Sequence, residues 1–379
     1  MKKIIYFAII AAAAASCASP SKTAVTDTHE LTSPDGKLKM TFCLSEGGVP
    51  NYSLGRIEGG EAIIVPSRMG FEMRGSIKAE QLNFNGPQIT KTDRQPSYMF
   101  DRGFEVVGTQ TDSLDQTWEP VWGEESQIRN HYNELLVKLR QKDSGRLLNI
   151  RFRMFDDGLG FRYEFPDGGP LVHFVIKDEV TEFALAGDYK AWWIPGDFDT
   201  QEYEYTESRI SEISRYYQKA VCGNSSQTLF STSGVQTSLQ MKTDSGLYVN
   251  IHEAALVDYP CMSLLVDEKK LVLRAYLTPD AQGWKGYMQT PCKTPWRTIQ
   301  VAESAEKQLA SRMILNLNDP CALDDVSWIH PSKYMGVWWE MIAGKGTWAY
   351  TDVPSVDLRT FDYSKAKPNG KPSANNENV

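Results

Sequence analysis

Histidine is scarce in this 379-residue chain: there are five, none in a cluster, so imidazole catalysis and His-rich metal centres have little to stand on. His131 and His252 read as satisfied strand residues. Cysteine is almost as sparse, and the five beyond Cys17 (Cys43, Cys222, Cys261, Cys292 and Cys321) are far apart. An odd, widely spaced set is neither a dense disulfide framework nor a zinc site. One or two disulfides would suit an oxidising compartment, but the sequence pairs none. Positive charge is also short, since 40 Lys and Arg against 48 Asp and Glu leave −8, which argues against nucleic acid as a partner. No G-x-S-x-G elbow occurs, His252-Glu253 lacks the second histidine of a zincin helix, and Gly344-Lys345-Gly346 lacks the spaced glycine of a phosphate loop.

The start of the chain has an address. Lys2 and Lys3 precede an apolar run, Ile4 to Ala15, too short to span a bilayer, and Ala14-Ala15-Ser16-Cys17 resembles a lipobox. We expect a lipoprotein-type signal over 1–17, a linker over 18–30, and a periplasmic protein lipid-anchored to the outer membrane through Cys17. No other contact with a membrane is expected.

From Leu31 to about Leu277 short alternating runs of Phe, Tyr, Val and Ile are punctuated by Gly, Asp, Asn and Pro, which predicts strands. Leu148 to Phe165 predicts a hairpin with apolar side chains inward, arginines outward and a loop at Asp156–Gly160. Further strands are expected around Lys37–Leu44, Phe104–Thr111, Glu134–Arg140, Leu247–His252 and Lys270–Leu277. So many strands predict one large antiparallel sandwich. Ile210, Ile213 and Tyr217 recur at helical spacing, so a short helix is expected within Glu207–Ala220.

Trp192 to Arg209 packs aromatics, a Pro-Gly turn and five carboxylates into eighteen positions. If Gln201–Tyr205 is extended, Glu202 and Glu204 share one face and Gln201, Tyr203 and Tyr205 the other. Carboxylates beside tyrosines suit a hard cation or a sugar; a solvated surface strand explains them equally well. Gly223-Asn224-Ser225-Ser226-Gln227 is a polar turn, either a sugar-hydroxyl contact or a plain connection. Past Pro320 the run Lys333 to Trp339 reads as a buried parallel strand, and Lys371 to Glu377 reads as a helix start with no helix after it. We therefore expect a product truncated as an α/β unit begins.

Several segments together resemble glycoside hydrolase family 97: Leu31–Asp35 (LTSPD), Trp118–Glu125 (WEPVWGEE), Ile128–Leu135 (IRNHYNEL), Asp157–Phe165 (DGLGFRYEF), Trp193–Tyr203 (WIPGDFDTQEY), Asn224–Thr228 (NSSQT), Tyr287–Arg297 (YMQTPCKTPWR) and Val337–Trp339 (VWW). The resemblance, nearest to the α-glucosidases of bacterial starch-utilisation systems, runs from about Leu31 to Val379. It implies a mainly β chain: a galactose-mutarotase-like β-supersandwich over 31–320, then the first strand of an incomplete (β/α)8 barrel over 321–379. It further implies a calcium-dependent, exo-acting α-glucosidase, inverting in this branch and retaining in an α-galactosidase branch, acting on α-glucan oligosaccharides. By motif position Glu202 is a calcium ligand, and Gly223, Asn224 and Ser225 contact substrate. Trp338 stands either as a sugar platform or as buried packing. The catalytic glutamates of such an enzyme belong to the missing barrel, beyond Val379, so this chain alone is expected to be inactive. The alternatives are a stand-alone carbohydrate-binding module and an inactive remnant.

Overall fold

The computed structural model describes residues 26–77, 97–223 and 227–333. The signal segment with Cys17, the candidate site residues Asn224, Ser225 and Trp338, and the expected barrel strand lie outside them. The chain forms two compact units, one reaching Pro120 and resuming over Glu125–Cys321, the other made of Val121–Glu124 and residues from Ala322 onward. Described residues of the second unit carry no regular element.

The first unit is a β-sandwich, as the alternation predicts. An eight-stranded antiparallel sheet runs, in spatial order, through Thr26–Thr32, Leu38–Ser45, Val49–Arg56, Ala62–Arg68, Glu182–Leu185, Val272–Leu277, Met262–Asp267 and Gly234–Gln236. A ten-stranded sheet has the order Thr206–Arg209, Lys190–Trp193, Leu239–Lys242, Tyr248–Ala254, Trp296–Ala302, Gly158–Phe165, Leu147–Phe155, Ile128–Gln141 and Phe104–Trp118, with Cys292–Lys293 pairing beside Gly158–Phe165. A third sheet of four strands contains Phe71–Ile77 and His173–Glu179. Aromatic rings join the layers. Phe42 and Tyr52 of the eight-stranded sheet meet Phe152 and Phe161 of the ten-stranded sheet, with centroids 5.8 and 4.8 Å apart, and Phe71 of the third sheet meets Tyr163 at 4.6 Å.

The Leu148–Phe165 hairpin has its apolar side chains inward: Ile150, Phe152 and Met154 are fully buried. Its turn is tighter than the expected loop. Gly158, Leu159 and Gly160 already pair with Phe155, Met154 and Arg153, leaving Asp156 and Asp157 to turn the chain. Gly158 makes this feasible, because its φ is +151° and a Cβ there would lie 2.3 Å from the Ile299 carbonyl oxygen. Outward-facing Arg151 and Arg153 are not free in solvent; both pair with Glu134, and Arg151 also with Glu164. The short helix expected within Glu207–Ala220 forms over Ile213–Ala220, after the strand Thr206–Arg209 and a 3₁₀ turn over Ile210–Glu212. Its helical spacing still buries Ile210, Ile213 and Tyr217. His131 and His252 do lie on strands, but the Nδ1 atom of each is buried without a hydrogen-bond partner among the described residues. Burial holds the His252 pKa below the ordinary imidazole value.

Where the three sheets meet, Arg297 is fully buried. Its Nε and Nη2 donate to Glu179 at 2.9 and 2.7 Å, and its Nη1 donates to Glu253 at 2.7 Å. Glu179 also accepts from Tyr259 and Thr181, and Glu253 from the backbone N–H of Met262. Burial alone would raise the Glu179 pKa, but the Arg297 guanidinium outweighs it and holds the carboxyl below its usual range. Stability from Glu179 is thus fully present above the unfolded carboxylate pKa and is lost as pH falls through the depressed folded value. Replacing Arg297 with Met strands two buried carboxylates, and we expect urea unfolding to show a loss of about 3–5 kcal/mol near neutral pH.

Candidate sugar- and metal-facing loop

Strand Lys190–Trp193 ends in Ile194-Pro195-Gly196, and the chain then leaves the sheet as a loop that returns at Thr206. Gly196 is required here: a Cβ would sit 2.3 Å from the Phe230 ring. That ring stacks on Phe198 and Tyr276, with centroids 4.9 and 4.6 Å away, so the loop's base rests on an aromatic pile.

Asp197 organises the rest of the loop. It is 5% exposed, and its Oδ1 accepts from the N–H of Asp199 at 2.7 Å, Thr200 at 3.2 Å and Thr228 at 3.1 Å. Oδ2 accepts from the Tyr203 hydroxyl at 2.7 Å and again from Thr228. Burial pushes the Asp197 pKa up, but these donors prevail and hold it below the ordinary carboxylate value. From beneath, the Gln236 amide donates to the carbonyls of Pro195 and Thr200 at 2.9 and 2.8 Å. Thr228 hydroxyl also bonds Asp199, so two loops remote in sequence share one anchor.

The expected two-faced strand over Gln201–Tyr205 does not form. Asp197 takes the N–H groups of Asp199 and Thr200 just before the run, and within it the Glu202 N–H donates to the Thr200 hydroxyl at 3.1 Å. Tyr203 turns inward to Asp197 while Tyr205 is 63% exposed, so the tyrosines do not share a face. Glu202 is exposed at the loop's outer part, and its carboxylate has no hydrogen-bond partner among the described residues. The second loop lies against it: the Cys222 thiol donates to the Glu202 carbonyl at 3.8 Å, and the next residue, Gly223, is exposed, where a Cβ would meet nothing within 4 Å. Glu202 and Gly223, more than twenty positions apart, are thus brought to one rim. Of the anchors, Asp197 and Thr228 fall within the family-like segments Trp193–Tyr203 and Asn224–Thr228, and Gln236 had no signal in the sequence.

Calcium takes roughly six to eight oxygens. Among the described residues no three His, Cys, Asp or Glu side chains gather closely enough to hold a metal ion. Glu202 can offer one carboxylate, and the described residues do not complete a calcium site around it.

The profile of the glycosyl-hydrolase 97 N-terminal family matches residues 31–320. This chain belongs to glycoside hydrolase family 97. A retaining alpha-galactosidase of Bacteroides thetaiotaomicron is 24% identical over 340 residues, covering 82% of this chain and 44% of that protein. A family 97 enzyme from Pseudoalteromonas sp. strain K8, solved in complex with acarbose, is 32% identical with a TM-score of 0.69, covering 86% of this chain and 43% of that one. A variant of that enzyme in complex with panose aligns with the same identity and score. The family 97 chain described here therefore spans less than half the length of these relatives.

Asp197→Ala should remove the common anchor of both loops at a cost of about 2–4 kcal/mol. Hydrogen exchange should accelerate at Thr200 and Thr228 before the sandwich itself opens. Because the folded pKa of Asp197 is depressed, this protection should hold at and above the ordinary carboxylate range and fade as pH drops through that lower value.

Proposed function

We propose that this family 97 chain is the N-terminal part of a calcium-dependent, exo-acting α-glucosidase that cleaves α-glucosidic bonds of starch-derived oligosaccharides with inversion. The observation that carries this reading is the Glu202 carboxylate, unpartnered among the described residues, on a loop whose base is locked by Asp197 and Gln236. A fixed base with an open carboxylate is what a shared ligand site requires, since a flexible arm would lose ordering entropy on every binding event. Glu202 would donate one carboxylate to Ca²⁺, with the other oxygens coming from a C-terminal barrel and from substrate; the ion would supply charge stabilisation to the sugar oxygens it touches.

Glucoside preference is supported by the Pseudoalteromonas complexes. Acarbose and panose are both built on α-linked glucose-type rings, and that enzyme is 32% identical to this chain, against 24% for the galactosidase. Hydrolysis itself needs an acid and a base or nucleophile, two carboxylates whose separation sets the stereochemical outcome. We assign both to the barrel and neither to Glu202. On this reading Gly223, with Asn224 and Ser225 beside it, offers backbone and side-chain polar groups to the sugar, and Trp338 an aromatic platform. The enzyme would work in the periplasm, tethered to the outer membrane by lipid on Cys17.

The complete product of the reading frame should hydrolyse an aryl α-glucoside faster than the matching α-galactoside, lose activity in EDTA and regain it with Ca²⁺. Glu202→Gln should raise the Ca²⁺ concentration needed for half-activation by about tenfold or more, a change of roughly 1.4 kcal/mol. Faster galactoside cleavage, or activity indifferent to EDTA, would refute the assignment.

A further inference from the structure

The outer face of the ten-stranded sheet carries a second feature, separate from the Glu202 loop. Trp192, Gln240, Asn250 and Gln300 lie on four adjacent strands and are direct cross-strand partners in sequence: Trp192 opposite Gln240, Gln240 opposite Asn250, Asn250 opposite Gln300. Because side chains alternate across a strand, this register puts all four on one face, in a row perpendicular to the strands. Their neighbours Ala191, Trp193, Met241, Val249, Ile251 and Ile299 are buried on the other face. The short helix Ala305–Leu309, capped by the Ser304 side chain, lies beside the row and brings Gln308 to it. Row and helix border an open groove of about 480 Å³, within the roughly 300–1,000 Å³ usual for small-molecule sites.

The amides are wired in one direction. Asn250 Nδ2 donates to Gln240 Oε1 at 3.2 Å, and Gln240 Nε2 donates to Gln308 Oε1 at 2.7 Å. The chain ends there, for Gln308 Nε2 is buried and has no acceptor among the described residues. A buried donor left unpaired is costly, and it terminates a polarised series of hydrogen bonds, so a turn of this half-exposed side chain toward an acceptor in the groove gains on both counts. At the other end of the row Trp192 is half-buried. Its indole N–H is held by Glu207 at 3.1 Å, and the Lys190 ammonium sits over one face of its ring, 4.9 Å from the centroid. Lys190 and Glu207 pair at 2.7 Å and cancel each other's charge.

We propose that this groove is a second carbohydrate site, binding one or two neutral pyranose units of an oligosaccharide with a sugar face on Trp192 and a hydroxyl oxygen on Gln308 Nε2. A neutral, polyhydroxylated ligand fits because the floor is made of uncharged amides that both donate and accept, flanked by an aromatic ring. A lipid tail would leave those amides desolvated and unpaired. An extended peptide would need an open strand edge, whereas the Trp192 strand is paired on both sides, to Thr206–Arg209 and to Leu239–Lys242. The site does not depend on calcium or on the reaction proposed above.

Calorimetry in EDTA, with maltotriose and separately with the α-galactoside melibiose, tests it. Saturable binding of at least one sugar is expected, weakened about tenfold or more by Gln308→Leu and by Trp192→Ala, and unchanged by Glu202→Gln. Gln308 lies on a surface helix and Gln240 Nε2 keeps the Met241 carbonyl as an acceptor, so Gln308→Leu should keep the parent Tm even if Trp192→Ala lowers it. The proposal is overturned by an absence of saturable binding up to roughly 20 mM, where a millimolar Kd would still register, or by binding that survives both groove substitutions. Binding that vanishes with Glu202→Gln instead belongs to the other loop and overturns it too.

Discussion

One guanidinium holds the three sheets to a single arrangement. Arg297 and Glu253 come from the ten-stranded sheet, Glu179 from the end of a strand in the four-stranded sheet, and the Met262 N–H that completes Glu253 from the eight-stranded sheet. Burying one cation with two anions adds little net stability, because desolvation of each ion offsets much of the Coulombic attraction. Its consequence is geometric. Each charged atom has a partner only in this relative placement of the sheets, and a slip of one residue in any of them would leave a charge without compensation in a dry interior. The aromatic rings around Phe161 and Tyr163 supply area, which many arrangements could satisfy; the ionic group selects among them.

The same contact reaches the candidate loop. Residues 260–263, fixed where Met262 bonds Glu253, line a cavity of about 540 Å³ whose other wall is Asp197–Gln201. The order of constraint therefore runs from the triad to this wall, from the wall and the Phe198, Phe230 and Tyr276 stack to the loop's base, and from Asp197 to the exposed part carrying Glu202. Hydrogen bonds to the scaffold thin out along that path, and the Glu202 carboxylate at its end is exposed without a hydrogen-bond partner among the described residues. The shared site proposed above would use this arrangement: a base that sets position, and a last residue that keeps its ligand capacity.

Local pattern made the sandwich readable. Alternation placed Ile150, Phe152 and Met154 inward and found the strands, because period-two burial is a property of consecutive residues, but it stopped short on the two longest, Phe104–Trp118 and Ile128–Gln141, whose far ends carry little apolar alternation. Pattern and structure part where one side chain commandeers the backbone. Gln201–Tyr205 has the alternation of a strand, but Asp197 claims the amides nearby and the run becomes a loop, as expected of an Asx side chain competing with a ladder. The hairpin turn departs from its pattern for a related reason. Gly158 and Gly160 look like loop residues, yet they are strand positions where another backbone or side chain approaches too closely for a Cβ.

Most of what matters at the two surfaces joins residues that no local reading can connect. Glu202 meets Cys222, Asp197 meets Thr228, and the row from Trp192 to Gln300 crosses more than a hundred positions of sequence. In such a row each residue looks unremarkable on its own strand, a polar side chain on an outward face. Register between strands distant in sequence turns four ordinary positions into one surface, and register is set by the core, since shifting any strand by one residue would exchange its inward and outward sets. The amide row is therefore as strongly specified as the hydrophobic residues behind it. Val249, Ile251 and Ile299 on the buried face fix where Asn250 and Gln300 stand on the exposed one. A binding surface built this way needs no specialised loop, and it inherits its precision from packing on the opposite side of the sheet.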